Sequence, residues 1–210
     1  MYKLYYAPGA ASLAAHWMLI ELDVPHELAR LDLGAGQQKD PDYLRLNPNG
    51  LVPTLVVDGA PVYECAAILL LLAERHPEAR FAPPPGTVER MAYLQWTVHL
   101  TNTVQAAFRN WFYPQEVAGE AATDAVREFS RELIARAWDR VDARLAASGG
   151  YIAGPEISAA DFLATMLMRW SRNMPKPATA WPAIRDYVAR MKARPSFRAL
   201  YESEGLTEWA

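Results

Sequence analysis

The sequence predicts two joined units of different class, a mixed α/β unit followed by an all-helical one. Three observations carry this. Short strand-like and helix-like segments alternate up to about residue 76, and strand signals vanish beyond residue 86. The stretch between them, PEARFAPPPG (Pro77–Gly86), holds three consecutive prolines, which make a stiff connection rather than a regular element. The expected division is 1–77 for the first unit, 78–86 for the linker and 87–210 for the second, a reasonable domain size for each.

The elements follow in order. YKLYY (Tyr2–Tyr6) reads as a strand, and residues 11–22 as a helix with Leu13, Trp17 and Ile20 on one face. ELARLDL (Glu27–Leu33) alternates with period two, as a second strand does. Asp40-Pro41 is an N-cap followed by proline at the first helical position, so DPDYLRLN starts a short helix. VPTLVV is a third strand, Asp58-Gly59 a hairpin turn and PVY the returning fourth strand. ECAAILLLLAERH is then a helix that stops before Pro77.

In the second unit Thr87 caps a long helix expected to run to about Tyr113, before Pro114. Another starts at Thr123, its apolar face given by Val126, Phe129, Leu133, Ala137, Val141 and Leu145, and Gly149-Gly150 end it. In ISAADF, Ser158 and Asp161 form an acidic variant of the capping box, with Ile157 and Phe162 as the hydrophobic staple. Such a box starts a buried helix, and Asp161 is assigned no catalytic role. RPSFRAL opens a last short helix after Pro195.

Composition excludes several function classes. The formal net charge is −3 and no basic block occurs, so there is no nucleic-acid footprint. A single cysteine, Cys65, rules out an internal disulfide and a cysteine-based metal site. The four histidines are scattered without metal-ligand spacing. The longest apolar run, CAAILLLLA (Cys65–Ala73), falls far short of the ~20 residues of a membrane span. Pro8-Gly9 interrupts any signal-peptide core, so a cytoplasmic location is expected. Seven Trp and ten Tyr suit either core packing or an aromatic-walled pocket.

NPNGLVPTLVVDG, ECAAILLLLAE, SAAD and ARPSFRAL, at these spacings, resemble the soluble glutathione S-transferases over nearly the whole chain, near the bacterial beta and chi classes. The resemblance implies a thioredoxin-like N-terminal domain, an all-helical C-terminal domain, a homodimer and glutathione as co-substrate, with no metal. It implies that a cis Val52-Pro53 turn presents the backbone beside Leu51 and Val52 to the cysteinyl part of glutathione. From the residues alone, an ordinary proline at a strand start is the alternative reading of Pro53. Glu64 and the Cys65 N–H would grip the γ-glutamyl end, where a helix N-terminus suits a carboxylate. A small buried apolar residue is the alternative for Cys65. Gln38 and Lys39 stand where the glycyl carboxylate is met, or Lys39 is a solvated surface lysine.

The chemistry such a site must do is to hold a thiolate. The resemblance places the family's Ser and Cys donors at Ala10 and Ala11, which carry neither. Ser12 is then the first side-chain candidate and Tyr6 the second. A plain N-cap is the alternative for Ser12, and backbone N–H groups are the remaining donors. The acceptor pocket would be formed by Ala10 and Ala11 with Asn102, Gln105, Ala106, Arg109, Tyr113 and Trp170, suited to a small apolar electrophile. Gln105 and Ala106 fall where beta-like members have His and Lys. Three functions stay open at this point: conjugation of glutathione to electrophiles, glutathione-dependent disulfide or peroxide reduction, and ligand binding with little turnover.

Overall fold

The computed structural model describes residues 1–209. The chain divides into two compact units, Met1–Ala82 with Met191–Ala210, and Pro83–Arg190. The C-terminal helix therefore groups with the first unit, whereas the sequence boundary had assigned everything after residue 87 to the second.

In the first unit the elements are β1 (Tyr2–Tyr6), α1 (Leu13–Glu21), β2 (His26–Arg30), α2 (Pro41–Leu44), β3 (Thr54–Val57), β4 (Ala60–Tyr63) and α3 (Cys65–Arg75). The sheet order is β2-β1-β3-β4. β1 runs parallel to β2, with Leu4 opposite Leu28, and antiparallel to β3, with Leu4 opposite Leu55. β3 and β4 form the hairpin read from Asp58-Gly59. This mixed four-stranded sheet with helices is the thioredoxin-like arrangement. β2 stops at Arg30, three residues short of the expectation. Asp32 turns the chain there, its Oδ1 accepting the N–H groups of Gly34 (2.9 Å) and Ala35 (3.1 Å).

Alternation along β1 sends Tyr2, Leu4 and Tyr6 to one buried face. There Tyr6 packs on His16 of α1, ring centroids 5.5 Å apart, and the Tyr2 hydroxyl meets His76 Nε2 at 2.9 Å. On the other face Tyr5 packs on Tyr43 of α2 at 5.5 Å. α1 is buried continuously from Leu13 to Leu19. One of the elements enclosing it is the last helix, Pro195–Glu204. Trp17 Nε1 donates to Ser196 Oγ at 2.8 Å, the Trp17 and Phe197 rings meet at 5.2 Å, and Glu21 accepts from both Arg194 and Ser196.

The second unit contains α4 (Val88–His99), α5 (Ala106–Phe112), α6 (Gln115–Ala118), α7 (Thr123–Ser148) and α8 (Ala159–Trp170). The following helices are α9 (Pro182–Lys192) and α10 (Pro195–Glu204). Thr87 caps α4 as expected, its Oγ1 accepting the Arg90 N–H at 3.1 Å. The long helix expected to reach Tyr113 is broken by a π-helical segment, Leu100–Gln105. Such segments rotate the faces of the helix that follows, which no periodicity argument anticipates. On α7 the buried positions are Ile134, Ala137, Trp138, Val141 and Leu145. Phe129, expected on that face, is exposed, and Ser130 turns inward in its place. α8 is buried from Ala159 through Arg169, and its start is fixed by Asp161, whose Oδ2 accepts the Ser158 N–H at 2.7 Å.

Candidate functional site

The loop between β1 and α1, Ala7 to Ser12, can be accounted for N–H by N–H. The Ala7 N–H goes to Ser12 Oγ at 3.2 Å, and Pro8 has none. The Gly9 N–H goes to Glu204 Oε2 at 2.8 Å. The Ala10 N–H goes to the Ala7 carbonyl at 3.1 Å. The N–H groups of Ala11 and Ser12 have no partner among the described residues. Ser12 is fully buried and Ala11 is half-buried, so of the two free N–H groups that of Ala11 lies on the less buried residue. It stands at the positive end of α1, where an anion is stabilised.

Ser12 departs from the expectation. Its exposure is 0 %, and its hydroxyl donates to the Ala7 carbonyl at 3.1 Å while accepting the Ala7 N–H. A hydroxyl has one proton, and this one points into the loop. Ser12 makes no side-chain cap bond to α1 either. It closes the loop. Tyr6 is buried at the end of β1 against His16.

A second buried pair holds the same loop. His16 Nδ1 and Glu204 Oε1 lie 2.8 Å apart, both side chains inaccessible, and the other oxygen of Glu204 takes the Gly9 N–H. His16 Nε2 is buried without a partner. Neither His16 nor Glu204 was singled out from the sequence, because a glutamate on the last helix carries no signal of a partner 188 residues away.

The turn before β3 is the next part. Val52-Pro53 is cis. Leu51 is exposed and Val52 half-buried, and neither the N–H nor the C=O of Val52 has a partner among the described residues. The Leu51 carbonyl instead is doubly satisfied, by the Tyr43 hydroxyl at 2.5 Å and Asn47 Nδ2 at 2.8 Å. Burial pushes the Tyr43 hydroxyl up, with opposing contributions from its bonds to Thr54 and Asn47, so it stays a donor.

At the start of α3, Glu64 is exposed with φ +73°, a conformation that non-glycine residues rarely adopt and that recurs at binding sites. The first helical bond runs from the Ile68 N–H to the Glu64 carbonyl, leaving the N–H groups of the first turn to face outward. Cys65 itself is buried, and burial, then the Glu64 charge, pushes its thiol up to about 12. It remains a protonated thiol at neutral pH. A thiol reagent at pH 8 is expected to leave the folded protein unlabelled and to label one thiol after denaturation, measured by colorimetric thiol counting.

Gln38 and Lys39 sit in a short 3-10 turn, Gln37–Lys39. Lys39 Nζ donates to the Asn49 carbonyl at 3.2 Å, and Gln38 Oε1 is buried without a partner. Gly50 lies beneath them with φ +58°; a Cβ there would stand 2.8 Å from the Gln38 carbonyl oxygen and 2.7 Å from Lys39 Nζ. Only glycine fits that approach.

Of the acceptor-side residues on the helical unit, Asn102 and Gln105 lie in the π-helical segment, Ala106 and Arg109 on α5, Tyr113 directly after it and Trp170 at the end of α8. Asn102, Ala106 and Arg109 are exposed and Gln105 is half-buried. Arg109 is tied to Glu116 at 2.5 Å and lies over the Tyr113 ring at 4.1 Å, so its guanidinium is paired although it is exposed. Trp170 packs edge-on to Phe108 and Phe112, 5.8 Å from each. Among the described residues no group of His, Cys, Asp or Glu could hold a metal, and no helix is long and apolar enough to cross a membrane.

Residues 10–75 match the family described as glutathione S-transferase, N-terminal domain, and residues 123–190 match glutathione S-transferase, C-terminal domain. A glutathione S-transferase of Xanthomonas campestris is 32% identical over 208 residues, covering 97% of this chain and 99% of the relative. The crystal structure of a glutathione transferase from Methylococcus capsulatus is 34% identical with a TM-score of 0.88, covering 99% of this chain and 100% of that one. A glutathione transferase homologue from Sulfitobacter, crystallised with bound glutathione, is 26% identical with a TM-score of 0.90, covering 99% of each chain.

Proposed function

Because the chain belongs to the glutathione S-transferase family, we propose that it conjugates glutathione to small apolar electrophiles with a thiolate held by backbone rather than by a protein side chain. It is a glutathione transferase, and glutathione is its co-substrate. What is particular to this chain is the donor. The side chains at Ala10 and Ala11 carry no hydroxyl or thiol, and the Ser12 proton is committed to Ala7. The observation that carries the reading is the free Ala11 N–H at the positive end of α1.

The magnitudes support it. A free thiol has a pKa of about 8.5, and lowering it by two units requires about 2.7 kcal/mol. A helix N-terminus contributes roughly 0.3–2 kcal/mol, and a hydrogen bond to a charged group roughly 1.5–3 kcal/mol. Together they suffice. The thiol releases its proton to solvent, the sulfur forms a bond to the electrophilic carbon, and the leaving group departs with its bonding pair. In this reading Glu64 and the α3 N-terminus take the γ-glutamyl end, Leu51, Val52 and Pro53 take the cysteinyl part, and Gln38 and Lys39 take the glycyl end. Asn102, Gln105, Ala106, Arg109, Tyr113 and Trp170 belong to the acceptor side, and the working form is a homodimer.

Steady-state conjugation of a chlorinated aromatic, with calorimetric titration of glutathione, tests the proposal. Saturable binding with product formation is expected. Binding without product would reduce the chain to a carrier, and no binding would remove the assignment.

A further inference from the structure

Deepening the glutathione reading, and resting on it, we propose that Tyr43 is a positioning residue that aims the Val52 N–H at the ligand. The Leu51 C=O and the Val52 N–H belong to a single planar trans unit and point in opposite directions. Whatever fixes the carbonyl fixes the N–H. Two donors hold that carbonyl, the Tyr43 hydroxyl at 2.5 Å and Asn47 Nδ2 at 2.8 Å, which fills both of its lone pairs.

The supporting shell is itself held. Tyr43 is buried on α2 and Asn47 is buried just beyond it. Asn47 Oδ1 accepts the Asn49 N–H at 3.1 Å, and the Asn47 N–H reaches the Tyr43 carbonyl at 3.0 Å. The single Tyr43 proton goes to Leu51, so the 2.8 Å contact with Thr54 Oγ1 is one in which Thr54 donates. The outward half of the same peptide, the Val52 N–H, has no partner among the described residues. A donor left free while its own peptide oxygen is bonded twice is one reserved for something outside the chain. In the glutathione reading it meets the cysteinyl carbonyl.

The test compares Tyr43→Phe with Thr54→Val. Tyr43→Phe removes only the hydroxyl that orients the peptide. Thr54→Val removes the buried hydroxyl that donates to the Tyr43 oxygen but leaves the Tyr43–Leu51 bond. Tyr43→Phe is expected to raise both the Kd and the KM for glutathione by roughly three- to tenfold, with kcat at saturating glutathione within about twofold. Thr54→Val should leave both constants as in the parent. In amide NMR, the Val52 resonance should shift on adding glutathione to the parent protein and shift less, or broaden, in Tyr43→Phe. An unchanged Kd in Tyr43→Phe, or equal weakening in both variants, overturns the proposal while the glutathione reading stands. Failure of the parent protein to bind glutathione overturns both.

Discussion

Asp161→Ala is expected to destabilise the helical unit by about 3–5 kcal/mol, because it takes the shared acceptor away from several buried donors at once. The carboxylate is fully buried and accepts four bonds: from the Ile152 N–H at 2.9 Å, the Ser158 N–H at 2.7 Å, Ser158 Oγ at 2.8 Å and the Tyr187 hydroxyl at 2.9 Å. An alanine leaves the Ile152 N–H, the Ser158 N–H and the Ser158 hydroxyl without this acceptor in a place that water does not reach, while the Tyr187 hydroxyl keeps the main-chain carbonyl of residue 161 at 3.1 Å. Each unsatisfied donor costs roughly 1–3 kcal/mol, and partial relaxation keeps the total below the simple sum. An ordinary exposed helix cap would cost only ~1 kcal/mol, so denaturant unfolding of this one variant separates the two cases. A loss near 1 kcal/mol would mean that Asp161 does no more than cap α8.

The second large effect is expected at Glu204. Glu204→Ala removes the acceptor for the half-buried Gly9 N–H and for the buried His16 Nδ1. A buried His16 without its carboxylate partner, together with the lost Gly9 bond, predicts a loss of about 2–4 kcal/mol. Hydrogen exchange should localise the effect: amides from Gly9 to Ala15 exchange faster. Arg194→Ala provides the comparison. It cuts the pair between Arg194 and Glu21 at the other end of α1, where both side chains are partly exposed, and a loss nearer 1 kcal/mol is expected. Exchange at Gly9–Ala15 should stay slow in that variant. Equal loosening of the loop in both variants would mean that Glu204 acts only by docking α10 on α1.

Much of the fold was legible because its signals are local. The Asp58-Gly59 turn and the Thr87 cap each act over a few residues, and each stands where the sequence put it. The misses have physical causes. Period two continued through Asp32, but its carboxylate turns the chain after β2. The π segment at Leu100–Gln105 costs nothing in hydrophobic pattern and so leaves no trace in it. Phe129 looked like a core residue by spacing, yet Ser130 occupies the inward position.

The candidate site was half legible. The cis Val52-Pro53 turn followed only from the resemblance, residue type alone pointing to an ordinary proline at a strand start, whereas the helix N-termini could be read from residue type. Ser12 could not, because a serine one residue before a helix reads the same whether its proton faces a ligand or the carbonyl five residues back. Tyr43 and Glu204 act through single long-range bonds, to Leu51 and to Gly9, that no spacing rule encodes.

The central claim is that a backbone N–H at the start of α1 keeps the glutathione sulfur ionised. Its most direct measurement is the ultraviolet thiolate titration of glutathione bound to the parent protein and to the double variant Tyr6→Phe, Ser12→Ala. The account predicts a bound pKa roughly two units below the free value of about 8.5, preserved in the double variant to within about half a unit. A pKa that returned to the free value when those two hydroxyls were removed would contradict it.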